Sequence, residues 1–135
     1  MAYNIEEIEG IGPSFGEKLI AAGIKSTADF LNKCSAAKGR QAVAAETDIS
    51  EKLILKWANH ADLMRISGVG PEYAELLEGA GVDTVKELRR RNAANLAAHM
   101  AAVQEEKKLT RKAPGEKVVA RWIEAAKGME PKITY

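Results

Sequence analysis

The feature that most constrains this chain is a six-residue turn written twice. Ile8-Glu9-Gly10-Ile11-Gly12-Pro13 returns fifty-eight positions later as Ile66-Ser67-Gly68-Val69-Gly70-Pro71. Each copy joins an apolar residue to a turn that needs glycine's backbone freedom, then to a proline set where a helix accepts one, at its first position. The duplication continues downstream. Under the same offset Phe15 matches Tyr73, Leu19 matches Leu77, Gly23 matches Gly81, Ile24 matches Val82 and Phe30 matches Leu88. Such a pattern predicts two small helical units, each too small to bury its apolar faces alone, packed on a shared core.

The expected fold class is all-α: two tandem repeats, residues 1–64 and 65–129, in one compact helical domain with no sheet, followed by a tail over 130–135. Aromatic residues are only 5% and alanine is abundant, which favours closely packed helices over strands. Asn4 with Glu7 predicts a capped first helix ending at Gly10, and Gly23 closes the helix that Pro13 opens. Ser26 or Thr27 starts a short third helix. Residues 35–45 read as helix, with Gly39 weakening it by about 1 kcal/mol relative to alanine. Asp48 and Glu51 form a capping pair for a rigid connecting helix over 49–64, whose Ile49, Leu53, Trp57, Ala61 and Met64 share one face. Thr84 and Glu87 form a further capping box, and Asn92 caps a helix carrying Leu96, Met100 and Val103. The last helix ends at Gly128, and its Trp122 matches Trp57 at an offset of sixty-five. About ten helices are expected in all, with Ile133 and Tyr135 of the tail docking on the core.

The formal net charge is +1, so no global basic excess marks a dedicated nucleic-acid binder. The charge is unevenly placed, however. Between Lys86 and Arg121 ten basic residues face four acidic ones, and the remainder of the chain is acidic. The N-terminus lacks the pattern of a secretory signal, and no window reaches the roughly 18 apolar residues of a membrane span. The single cysteine, Cys34, permits no internal disulfide, and a cytoplasmic location is expected.

The turn pattern, an apolar residue, any residue, Gly, apolar, Gly and Pro, then a helix closed by Ala22-Gly23-Ile24 or Ala80-Gly81-Val82, resembles the helix-hairpin-helix superfamily. Nearly the whole chain also resembles an uncharacterised bacterial family of duplicated hairpins, a domain of unknown function. The segment from Trp57 to Ile66 and the Pro131-Lys132-Ile133-Thr134-Tyr135 ending carry that likeness. The superfamily resemblance implies contact with the sugar-phosphate backbone of DNA without sequence reading. Carried over by position, the contacts are Gly10, Ile11, Gly12 and Ser14 in the first turn and Gly68, Val69 and Gly70 in the second. Some superfamily hairpins also hold a monovalent cation on turn carbonyls. The second copy departs from the pattern. Glu72 stands where many DNA-binding hairpins carry Lys, Arg or Thr, a choice that suits the helix dipole and repels phosphate.

A basic face built from Arg89, Arg90, Arg91, Lys107, Lys108, Arg111 and Lys112 could track a phosphate backbone, against the plainer reading of solvated helix ends. Neither run is interleaved with aromatics, so no stacking platform is expected. His60 and His99 have no ligand partner at helical spacing and read as surface or boundary residues, and Cys34 reads as a small buried apolar residue. Asp83 reads as a turn residue ahead of the Thr84 cap. No acid–base pair or nucleophile can be named, so the expectation is a non-enzymatic protein with no metal, no cofactor and no small-molecule substrate. Its partner is either DNA backbone or, alternatively, an unidentified protein bound by an interaction or scaffold module.

Overall fold

The computed structural model describes residues 3–109 and 112–135. Among them are eight α-helices and one 3-10 turn, with no strand: the turn Ile5–Glu7, then α1 Pro13–Ala21, α2 Thr27–Cys34, α3 Ala37–Thr47, α4 Glu51–Leu63, α5 Pro71–Gly79, α6 Val85–Leu88, α7 Ala93–Lys107 and α8 Glu116–Lys127. The only pairing of strand type among these residues is an isolated bridge between Asn4 and Ser26.

Most boundaries follow from caps. Asn4 and Glu7 form the expected capping box, but it closes only a 3-10 turn, because Ile8 is already extended. Ser26 caps α2 in a box with Asp29. For α4 the cap is Ser50 rather than Asp48, which instead ends α3 in the left-handed conformation at φ 60°. Thr84 caps α6 through the Glu87 N–H, yet the expected box is only half made, since the Glu87 carboxylate turns to Arg91. Asn92 caps α7, and Gly128 ends α8.

The core is one continuous cluster running from Ile5 to Ile133. At its centre, residues 57–63 of α4 are all buried, two turns of helix covered on every side. α2 and α3 pack on the N-terminal side of this helix, while α5 comes after it and in turn packs on α7. Buried Asp62 ties the end of α4 to the start of α6: its Oδ2 accepts the Val85 N–H at 2.8 Å, and its Oδ1 accepts Arg65 Nη1 at 2.7 Å.

The tail docks through Ile133, which is buried, but Tyr135 does not dock with it and remains 74% exposed. The anchor is Arg40, only 5% exposed, whose guanidinium donates to the carbonyls of Cys34, Ser35 and Thr134. The Thr134 N–H returns a bond to the Ser35 carbonyl at 2.8 Å.

Candidate nucleic-acid interface

The two glycine turns have the same local geometry. Gly10 and Gly68 both sit at φ 93°, and Gly23 and Gly81 at φ 85° and 91°. In each turn the left-handed glycine lies under a tryptophan: a Cβ on Gly10 would meet Trp57 Nε1 at 3.3 Å, and one on Gly68 would meet Trp122 Nε1 at 3.3 Å. The same tryptophans take the aromatic side chain that comes two residues after the proline. Phe15 meets Trp57 at a centroid distance of 5.1 Å and 61°, and Tyr73 meets Trp122 at 5.2 Å and 57°. Each turn is therefore braced by an indole from a helix more than forty residues downstream.

The backbone donors divide. The Ile11 N–H is spent on the Ile8 carbonyl at 3.1 Å, and the Val69 N–H on the Ile66 carbonyl at 3.0 Å; both side chains are buried. Ile11 and Val69 thus build the turn. Gly12 and Gly70 are the N-caps of α1 and α5, and neither helix has a side-chain cap. The N–H groups of each first turn are therefore without a side-chain partner at the cap. At α1 nothing lies within 4 Å of where a Gly12 Cβ would be, Ser14 is exposed, and the first turn holds no acid. The Glu6 side chain crosses α1 at Gly16, one turn further in.

The second turn has a different electrostatic setting. A hollow of about 380 Å³ at Gly68, Gly70 and Pro71 is lined by three carboxylates, Glu7, Glu9 and Glu72. Glu72 was legible in the sequence as an obstacle to phosphate; Glu7 comes from the N-terminal turn and Glu9 from the first glycine turn itself, next to Gly10, and only the fold brings them beside Gly68 and Gly70. On the far side of Gly68, Arg121 lines a separate groove with Ser67, Tyr73 and Trp122.

Arg91 folds back on the end of α5, where Nη2 donates to the Gly81 carbonyl at 2.9 Å and bonds Glu87 Oε1 at 3.0 Å. The length of α5, roughly 13 Å at 1.5 Å per residue, separates it from Gly70. Arg89 is half-buried and Arg90 exposed; Lys107, Lys108 and Lys112 are exposed around the end of α7, and Arg111 lies outside the described residues. The role of Arg91 has a counterpart that sequence reasoning missed. Lys33 Nζ donates to the Ala22 carbonyl at 2.7 Å, over Gly23 as Arg91 lies over Gly81. The signal was present, because Lys33 and Arg91 are themselves fifty-eight residues apart.

His60 corrects a second expectation. It is fully buried rather than at the surface, with Nε2 3.1 Å from Glu78 Oε2. By strict alignment neither ring nitrogen has a hydrogen-bond partner among the described residues, although the close approach of the ring holds the Glu78 carboxyl down. His99 is exposed and Cys34 is buried, as expected. Asp83 is half-buried, with Oδ1 accepting the Thr84 hydroxyl at 3.3 Å. Among the described residues no group of three or more His, Cys, Asp or Glu could hold a metal ion, and no helix is long and apolar enough to cross a membrane.

Taken together, these features define a compact all-helical protein with two indole-braced glycine turns. The chain belongs to the family described as Domain of unknown function (DUF4332), whose pattern matches residues 9–129. No curated protein and no solved structure matches it significantly.

Proposed function

We propose that this is a non-enzymatic, cytoplasmic helix-hairpin-helix protein that contacts the sugar-phosphate backbone of DNA without reading sequence, and that the contact is made by the first turn. One observation carries the reading: α1 starts at an unobstructed glycine, without a side-chain cap and without an acid in its first turn. Hydroxyl or amide side chains close the starts of α2, α4, α6 and α7; of the other uncapped starts, α5 and α8 carry an acid in the first turn, and α3, which carries none, begins at an alanine rather than at a glycine turn. A helix start left open points N–H groups and the positive end of the dipole at an approaching phosphate. The matching φ values and indole braces of the two turns support assigning both to the helix-hairpin-helix class. The second is a structural partner of the first.

Fluorescence anisotropy of a short duplex at about 50 and 200 mM salt tests this, since contacts to several phosphates weaken by orders of magnitude over that range. Ser14→Glu should abolish binding and Glu72→Ala should leave it intact. No binding at the lower salt ends the reading.

A second reading, a protein-interaction module, is favoured by the hollow of Glu7, Glu9 and Glu72 with the half-buried Tyr73, which suits a basic protein surface. Native purification with nuclease treatment separates the two, because only a protein partner survives it.

A further inference from the structure

The tail over 130–135 is held at one short stretch, as a bound peptide is held. Ile133 is 7% exposed, and the residue after it has both backbone groups taken. The Thr134 N–H bonds the Ser35 carbonyl at 2.8 Å, and the Thr134 carbonyl accepts from Arg40 Nη2. On either side the hold ends. Among the described residues no hydrogen bond reaches the backbone of residues 130–133, and Tyr135 is exposed. Hollows flank the strap at Lys132: one of about 220 Å³ toward α2, lined by Asn32 and Arg65, and one of about 240 Å³ toward α6, lined by Thr84 and Lys86.

The receiving site belongs to the body of the protein. Arg40 is 5% exposed, and its Nη1 is fixed on the Cys34 and Ser35 carbonyls at the junction of α2 and α3, bonds that do not involve the tail. Its Nη2 has the Thr134 carbonyl as partner. Removing the tail would strand half of a buried guanidinium, which costs more than stranding a neutral donor. The site is therefore pre-organised for one further carbonyl. It reads backbone atoms and one aliphatic side chain, the mode by which sheet edges take up peptides.

We infer that Arg40 and the pocket of Ile133 form a docking site for a short peptide segment, filled in cis by the tail and able to take the same segment from a second copy of this chain. The second copy is the occupant because residues 131–135 are the segment whose fit is seen, and because exchanging tails between two copies keeps every contact. The unbonded backbone of 130–132 can redirect the tail without breaking a hydrogen bond. In a single chain the short connection to α8 holds the tail at an effective concentration on the order of millimolar, so the cis arrangement prevails until tail or site is altered. The site is independent of DNA contact, because no residue of either glycine turn takes part in it.

Two full-length variants test this by complementation. Ile133→Lys should vacate the site, since an ammonium enters neither an apolar pocket nor the neighbourhood of Arg40. Arg40→Gln keeps the tail and loses the guanidinium that holds it. Mixed at about 1 mM, the two should form a one-to-one complex by sedimentation equilibrium, and neither alone should associate. If Arg40→Gln does not fold, a labelled peptide of residues 129–135 supplies the tail instead. By anisotropy it should bind the Ile133→Lys chain saturably, and bind about tenfold or more weakly to the parent, whose site is filled, or when the peptide itself carries Ile133→Lys. If the Ile133→Lys chain does not fold, Thr134→Pro, which deletes the N–H held by Ser35, vacates the site in its place. Docking in trans is overturned if a folded, tail-released chain takes up neither peptide nor tail at about 1 mM. It is equally overturned if the parent binds the peptide as tightly as the variant does, or if the Ile133→Lys peptide binds as well as the native one.

Discussion

Arg40 and Thr134 stand ninety-four residues apart in sequence and are joined by a hydrogen bond, the buried guanidinium donating to the Thr134 carbonyl. The same guanidinium holds the Cys34 and Ser35 carbonyls at the junction of α2 and α3. Arg40→Ala leaves three carbonyls without their charged donor and should cost about 2–4 kcal/mol in urea denaturation. Deleting residues 130–135 removes part of the same network, so the two changes together should cost clearly less than their sum. Full additivity would show that the tail docks without Arg40.

Glycine replacements should separate three physical situations. Gly10→Ala and Gly68→Ala force a side chain into φ 93° and against an indole nitrogen, and each should cost about 1–2 kcal/mol or more by thermal or urea unfolding. Gly39→Ala improves helix propensity but sets a Cβ into the Lys33 carbonyl oxygen, so it should destabilise despite the propensity gain. Gly12→Ala meets nothing within 4 Å at φ −83°, but Gly12 is an N-cap, where alanine is a poorer residue than glycine; this offsets the unfolded-state gain, and the net change should be small, within about 1 kcal/mol.

Acid sensitivity should trace in part to Glu78. Burial pushes its carboxyl up, but the His60 contact and the charges of His60, Lys56 and Lys107 outweigh burial and hold it below its ordinary value of 4.5. The group is therefore more acidic folded than unfolded. Its contribution is complete above that ordinary value and is lost as the pH falls through the lower folded value. Stability measured against pH should fall more gently for Glu78→Gln than for the parent on the acid side of pH 4.5. Parallel curves would mean that the His60 contact does not couple to folding.

Cys34 should behave as hydrocarbon. Its side chain is inaccessible, and burial pushes the thiol up to about 11, against a smaller opposing influence of Arg40 and Lys33. A thiol reagent at about pH 8 should label it only as fast as the chain opens, and fully in urea. Rapid labelling of the folded chain would place Cys34 in a breathing segment.

The helical class and the paired turns were legible because they rest on local chemistry. Glycine at positive φ, proline at a first helical position and Ser26, Thr84 or Asn92 at a helix start act within a few residues, so each writes itself into the sequence. Asp48 misled because an acid ahead of Glu51 resembles a cap, whereas Ser50 was better placed to reach the Leu53 N–H. What local pattern could not give was assembly. The burial of His60 depends on α5 crossing α4, and the carboxylates around the second turn depend on where the N-terminal turn comes to rest. Gly39 looked like a weakness in a helix, yet it is the contact that lets α3 approach the end of α2. Lys33 and Arg91 were recoverable in principle, since they obey the repeat offset, but a lysine and an arginine do not resemble each other until both are seen holding a carbonyl.

The seven consecutive buried residues of α4, from Trp57 to Leu63, leave that half of the helix no face from which it can fray toward solvent. Its amide protons can exchange with solvent only through events that part α2 and α3 from it on one side and α5 on the other. Such events dismantle most of the chain. Hydrogen exchange through α4 therefore becomes a clock for global unfolding, and the amides of residues 57–63 should be the slowest in the molecule, sharing a single rate-limiting opening.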